Sequence, residues 1–184
     1  MNVVEPIRNK KDLLKVEKYL LNESGEYGLR NLLMCLLGTN CGLRISDILN
    51  LNVKDVKNKS DVELIEIKTG KRKKFPINDK LKPLIKEFTQ MRNDNEPLFI
   101  SKYGNRMERT QSYRIFNNAC KKVGINYKIG THTMRKTFGY HHYKKYKDVA
   151  ILQKIFNHSS PTVTLIYIGI NQDIIDNSYR KFIL

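Results

Sequence analysis

Eleven residues near the C-terminus constrain this chain more than any others: Asn157-His158-Ser159-Ser160-Pro161-Thr162-Val163-Thr164-Leu165-Ile166-Tyr167. A helix is expected to stop at Asn157, because asparagine tolerates the left-handed backbone of a helix C-terminus. Ser160 is a good helix cap, and Pro161 suits a first helical position, where no N–H is needed. The stretch therefore predicts a helix, a sharp turn and a short second helix that presents Tyr167. The turn fixes His158 and Tyr167 relative to each other. Taken alone it reads better as a surface helix with a polar His and a half-buried Tyr, so the rest of the chain must supply the partners.

The remaining periodicities are mostly helical. Helices are expected over 11–22 (Leu13, Val16, Leu20 inward) and through Leu29, Leu32, Leu33, Leu36 and Leu37. Gly38 and Gly42 bracket a turn, and Ser46 is a candidate cap for a helix carrying Ile48, Leu49 and Leu51. Val62–Ile67 reads as a strand, Thr69-Gly70 as a turn, and Lys73–Ile77 as the returning strand. Asn78 or Asp79 opens a helix with Leu81, Leu84, Ile85, Phe88 and Met91 on one side, and 93–108 is loop-like. Further helices start at Thr110 (Phe116, Ala119, Cys120, Val123 inward, stopped by Gly124), at Thr131 and at Asp148. The last, over 172–183, carries Ile174, Ile175, Tyr179, Phe182 and Ile183. The expected fold is α+β and mainly α-helical, with one small antiparallel hairpin, in a single domain over 1–184.

The chain has 34 Lys plus Arg against 18 Asp plus Glu, a net charge of +16, which implies a polyanionic partner, nucleic acid above all. Charge alone equally permits a nonspecific RNA-binding protein. The three cysteines lack CxxC spacing, and Cys35 and Cys120 read as small core hydrophobes, which points to a reducing, cytoplasmic compartment. The longest apolar run, near Leu32–Leu37, is too short to span a membrane, and the N-terminus lacks a signal-peptide core. No carboxylate cluster or Cys/His set calls for a metal, and no cofactor is expected.

The polar residues suggest phosphoryl chemistry. His132 and Arg135 are three apart and share a helix face. Arg44 directly precedes a helix. Arginine clamps phosphate well because its planar fork gives parallel hydrogen bonds and stays charged. Two arginines could hold both non-bridging oxygens of a phosphodiester, two histidines could add a proton acceptor and a donor, and Lys68 could reach a leaving oxygen. Tyr167 could attack. Each residue also has an ordinary surface role; their joint presence is what weighs.

These residues resemble the catalytic domain of the tyrosine recombinase, or phage integrase, family. The resemblance rests on Cys41-Gly42-Leu43-Arg44-Ile45-Ser46-Asp47-Ile48-Leu49, Lys68-Thr69-Gly70-Lys71 with Pro76, His132-Thr133-Met134-Arg135, Asn157-His158-Ser159-Ser160 and Tyr167, covering most of 28–168. It implies Arg44 and Arg135 as phosphate clamps, Lys68 as general acid, His132 as acid–base residue, His158 as phosphate donor, Tyr167 as nucleophile and Asp47 as a buttress. Counting back from Pro76 also selects Lys68 over Lys71. Strand alternation is expected to put Lys68 on the face of Leu64 and Glu66. Asn157 stands where the family commonly has Gly, and Lys136 where it often has His. Lys71, Arg72, Lys73, Lys74 and Lys136 are expected to touch DNA. The implied activity is site-specific cleavage and rejoining of double-stranded DNA through a 3′-phosphotyrosine, with oligomers forming on DNA through the C-terminal helix. A type IB topoisomerase-like nicking and resealing activity, and a non-catalytic DNA-binding accessory role, are the alternatives. Family members usually carry a separate N-terminal helical domain; here only about 28 residues precede the catalytic pattern, so a catalytic-only protein is expected.

Overall fold

A computed structural model describes residues 4–22, 24–170 and 172–183. The elements run α1 (Lys10–Asn22), α2 (Gly28–Cys41), α3 (Ile45–Asn50), β1 (Asp61–Ile65), β2 (Arg72–Pro76), α4 (Leu81–Thr89), α5 (Arg109–Lys122), α6 (Thr133–Tyr146), α7 (Val149–Phe156), α8 (Pro161–Tyr167) and α9 (Gln172–Lys181). Short 3-10 turns lie at Gly25–Tyr27 and Val53–Asp55. The fold is thus mainly helical with one two-stranded antiparallel sheet.

Helix α2 is the axis of the molecule. Almost every residue from Arg30 to Thr39 is buried, and α1, α4 and α6 pack around it. A helix that is apolar all round has no solvent face and belongs in the interior. Where α2 crosses α6, a Cβ on Gly38 would lie 2.7 Å from the Met134 Cβ, so glycine sets how closely the two helices approach. The main core spans Val16 and Leu20 of α1, the leucines of α2, Ile48, Val62, Leu81, Phe99 and Phe116. A second, smaller cluster of Leu152, Phe156, Ile168 and Ile170 joins α7 to α8. All three cysteines are free and buried.

In the hairpin Asp61 pairs with Pro76 and Ile65 with Arg72. β1 ends at Ile65, two residues before the predicted end, because the chain folds back at Glu66: its carbonyl accepts from Gly70 at 2.8 Å and its N–H donates to Lys71 at 2.9 Å. Lys68 therefore sits in the turn and not on a strand. Its expected alignment with Glu66 fails: Glu66 is fully buried and Lys68 exposed.

Local capping follows the sequence in some places and departs in others. Asp148 Oδ1 accepts from Ile151 N at 2.8 Å, and Ser160 Oγ from Val163 N at 3.2 Å. Asn157 is left-handed at φ 54. Ser46 is no cap; Arg44 occupies the N-cap position of α3 with extended backbone, and Ser46 lies inside the helix. Helix α6 begins at Thr133 and not at Thr131, and the Thr133 hydroxyl accepts from Gly130 N at 3.0 Å. Met91 lies beyond α4 and is 91% exposed, not inward. On α9, Ile175 and Tyr179 are exposed, as are Phe182 and Ile183 just beyond it; the side chain of Ile174 lies outside the described residues. Among the described residues no helix is long and apolar enough to cross a membrane.

Gly42 closes α2 at φ 62, and a Cβ there would stand 2.5 Å from a Phe138 ring carbon. Gly42→Ala combines backbone strain with overpacking and is expected to cost roughly 2–4 kcal/mol. Gly70→Ala, at φ 66 with open space around it, carries the backbone penalty alone, about 1–2 kcal/mol. Urea unfolding midpoints measure both, and equal losses would contradict the packing assigned to Gly42.

Candidate active site

The turn after α2 begins the site. Gly42 reverses the chain, Arg44 follows in extended conformation, and the first turn of α3 brings Asp47 beneath it. Arg44 Nη1 lies 2.8 Å from Glu66 Oε1 and 3.9 Å from Asp47 Oδ2, and both carboxylates are completely buried. Asp47 Oδ1 accepts from Ile67 N at 3.0 Å, which ties α3 to the hairpin. Asp47 thus buttresses both Arg44 and the turn that carries Lys68.

Arg135 comes from α6 and is 1% exposed. Its Nη1 donates to the Gly42 carbonyl at 2.5 Å and its Nη2 to the Phe156 carbonyl at 2.9 Å. The guanidinium also lies over the Phe156 ring, 4.3 Å from its centre. Gly42 ends α2 and Phe156 ends α7. Each helix C-terminus leaves carbonyls without intrahelical partners and carries partial negative charge, so one buried cation satisfies both ends. Burial lowers the Arg135 pKa from its usual value without threatening its charge.

Tyr167, at the end of α8, is half-buried against Phe156 and His158, with ring centres 5.5 and 5.0 Å away. Its hydroxyl lies 3.2 Å from His132 Nδ1. Burial raises the phenol pKa above 10, and the charges of Arg135 and Arg44 oppose that rise. Burial, then Arg109, Arg135 and Lys68, hold His132 below 6.5, so it is neutral at pH 7 and able to accept a proton. Lys68 also lowers His158, after burial and the two arginines.

His158 Nδ1 is 3.0 Å from the Thr164 hydroxyl, which lies 3.2 Å from the Ser160 carbonyl. A carbonyl only accepts, so the single Thr164 proton goes to Ser160, and Nδ1 of His158 is the donor to Thr164. Burial, Arg135 and Arg44 push the His158 pKa down to about 4. The neutral ring then carries no proton on Nε2.

Arg44, His132, Arg135, His158 and Tyr167 therefore gather in one place with Asp47, while Lys68 is exposed in the adjoining hairpin turn. The predicted DNA-contact residues divide. Lys71, Arg72 and Lys74 are exposed on the hairpin. Lys73 is not: it is 9% exposed and its Nζ donates to the Ile155 carbonyl at 3.0 Å. Register explains this, since Lys73 pairs with Leu64 on the inner face of the hairpin. Burial and Arg135 hold its pKa down to about 8, with Glu66 opposing. Lys136 is likewise buried, with its ammonium 5.3 Å from the centre of the Tyr167 ring, so it braces that ring and is withdrawn from the surface.

Glu66 is the site residue that sequence reasoning missed. Its Oε2 accepts from Thr69 Oγ1 at 2.7 Å and from Asn157 Nδ2 at 3.1 Å, while Oε1 faces Arg44. Burial pushes the carboxyl up, but the contacts of Thr69, Arg44 and Asn157 outweigh it and hold the group below the usual range. A usable signal was present: an acid in phase with Val62 and Leu64 along β1, and so directed inward, in a chain with so many cations to neutralise.

The model of the phage integrase family matches residues 11–173. The probable integrase/recombinase YoeC of Bacillus subtilis (strain 168) is 45% identical over 183 residues, which cover 99% of this chain and 98% of that protein. Tyrosine recombinase XerA of Pyrococcus horikoshii is 33% identical over 144 residues, 76% of this chain, and the chain spans about half the length of this and other Xer relatives. Among solved structures, the crystal structure of XerA recombinase superposes with a TM-score of 0.76 at 21% identity, covering 97% of this chain and 66% of that one. The catalytic domain of bacteriophage HP1 integrase gives 0.67 at 19% identity, covering 97% and 95%. With the fold shared and the family model matched along nearly its whole length, the chain belongs to the phage integrase family, the tyrosine recombinases.

Proposed function

We propose that this protein cuts and rejoins double-stranded DNA at specific sites, with Tyr167 as the nucleophile. The observation that carries the reading is the Tyr167 hydroxyl 3.2 Å from the neutral His132 imidazole, inside a cluster that also holds Arg44, Arg135 and His158. Solved relatives support the reading: XerH has been crystallised bound to its difH substrate, and a lambda integrase dimer bound to a core site.

In this reading Arg44 and Arg135 hold the non-bridging oxygens of the scissile phosphate. The phenol oxygen attacks phosphorus as its proton passes to His132 Nδ1. The bond from phosphorus to the 5′ oxygen breaks, and Lys68 protonates that oxygen. Rejoining reverses each step, and the phosphodiester energy is retained in the phosphotyrosine, so no ATP is consumed. His158 serves the phosphate as a donor once the bound anion has drawn a second proton onto Nε2. Lys71, Arg72 and Lys74 meet the backbone of the duplex, releasing counterions. Helix α9 and the residues after it dock through Ile175, Tyr179 and Phe182 on a neighbouring copy assembled on DNA. The protein works in the cytoplasm, where its DNA lies.

A nicked suicide substrate tests the nucleophile. The wild-type protein is expected to form a covalent DNA adduct, and Tyr167→Phe to bind the same DNA with no adduct. An adduct from the Phe variant would move the nucleophile elsewhere, Tyr179 first. Plasmid relaxation with no recombinant product would select a topoisomerase-like activity instead.

The acid limb of the pH profile tests His132. Its pKa is depressed below 6.5, so the active neutral form is present above that lowered pKa and lost as pH falls through it. The cleavage kcat/KM, which reports the free enzyme, is therefore expected to fall only below pH 6.5, and His132→Gln to remove that limb. A limb centred above 6.5, or one unchanged in the variant, would contradict the assignment.

A further inference from the structure

Three parts of the site come from segments far apart in the chain: Arg44 after α2, Lys68 in the hairpin turn and His158 after α7. One buried carboxylate touches all three segments. Glu66 faces Arg44 Nη1 at 2.8 Å, accepts from Thr69 beside Lys68 at 2.7 Å, and accepts from Asn157 beside His158 at 3.1 Å. The backbone of the same residue closes the hairpin turn, receiving Gly70 N and donating to Lys71 O.

We propose that Glu66 is a positioning residue for strand cleavage, acting through Thr69 and Asn157 to hold the turn of Lys68 and the turn of His158 in register with Arg44. It does not meet DNA, since its side chain is wholly buried behind Arg44. Asn157 is the matching half of the device. An asparagine at φ 54 satisfies the helix end that a glycine would also satisfy, and it adds an amide that reaches Glu66. A glycine there would leave the His158 turn without this tether.

The charges argue for the same role. Arg44 and Lys73, both largely buried, converge on Glu66 Oε1, at 2.8 and 4.0 Å. Removing cations from water beside one another is costly without anions among them. Asp47 and Glu66 supply that balance. Asp47 spends its other oxygen on the Ile67 N–H, whereas Glu66 spends its own on the two turns. Losing Glu66 thus loosens both turns and leaves Arg44 repelled by its neighbours.

This inference rests on the cleavage reading for its consequence but not for its structural half, so two measurements separate them. Amide hydrogen exchange compares the wild type, Glu66→Ala and Glu66→Gln without DNA. In Glu66→Ala the amides of Thr69, Gly70, Lys71 and His158 are expected to exchange roughly tenfold faster while those of α2 stay unchanged. Glu66→Gln keeps the shape and an acceptor oxygen, so it should recover most of that protection, and it also serves if the Ala variant fails to fold. Unchanged exchange at both turns, or equal acceleration in α2, overturns the proposal. Single-turnover cleavage at saturating DNA is the second measurement. Glu66→Ala should be slower by about tenfold or more, as misplaced groups are, with DNA affinity within about threefold of wild type. A loosened turn with wild-type cleavage would deny Glu66 its positioning role. A wild-type protein that forms no covalent complex would sink the cleavage reading, and the exchange data would still judge the link between the turns.

Discussion

The structure depends on one guanidinium. Arg135 lies in the interior and joins the C-terminal end of α2, through Gly42, to that of α7, through Phe156. Hydrogen bonds to a charged donor are the stronger kind, and a buried charge left without them costs several kcal/mol. The two helix ends and the arginine therefore stabilise one another. The residues that follow those ends are Leu43-Arg44 in one case and Asn157-His158 in the other. Fixing Arg135 thus fixes where two further polar residues of the site begin. The arginine proposed to meet the phosphate is also the staple that ties together the two helix ends from which Arg44 and His158 follow.

The chemistry follows from that arrangement more than from any single pKa. Burial raises the Tyr167 phenol, which by itself opposes attack. The same burial keeps His132 neutral and ready for the proton, and Arg135 and Arg44 act against the rise. An empty site of this kind is strongly cationic and held partly in check by Asp47 and Glu66. A phosphodiester entering it would meet guanidinium groups already held in place by Gly42, Phe156 and Glu66, and preorganised charge is where electrostatic catalysis has its largest effect. The price is a set of buried charges that must all be paired, which is why two carboxylates lie behind the clamp.

Much of this was legible in the sequence. Asn157, Ser160 and Pro161 each carry a local conformational preference, and the turn between α7 and α8 follows them. The six side chains proposed as catalytic are identifiable because phosphoryl transfer needs those residue types, and the family resemblance gives their order. Other features were not legible because they depend on partners distant in sequence. Lys73 and Lys136 look like any basic residue in a basic run; only the hairpin register and the packing of α6 on Tyr167 bury them. By strand alternation Glu66 reads as a residue in phase with Lys68. The backbone instead turns at Glu66, so the two separate, one inward and one outward. Ser46 has the right chemistry for a cap, but the sharp reversal at Gly42 starts α3 two residues earlier, with Arg44 at the cap position.

The account rests most heavily on Arg135 being locked before DNA arrives. Proton-detected nuclear magnetic resonance of the arginine side chains in the DNA-free protein measures this directly. Rotation about the guanidinium bonds averages the Nη–H signals of a solvated arginine such as Arg114, which is exposed. Arg135, held at both ends by Gly42 and Phe156, is expected to give separate Nη–H signals that exchange slowly with water, identified by their loss in Arg135→Lys. A single averaged, rapidly exchanging Arg135 signal would contradict the claim that the clamp is built in advance.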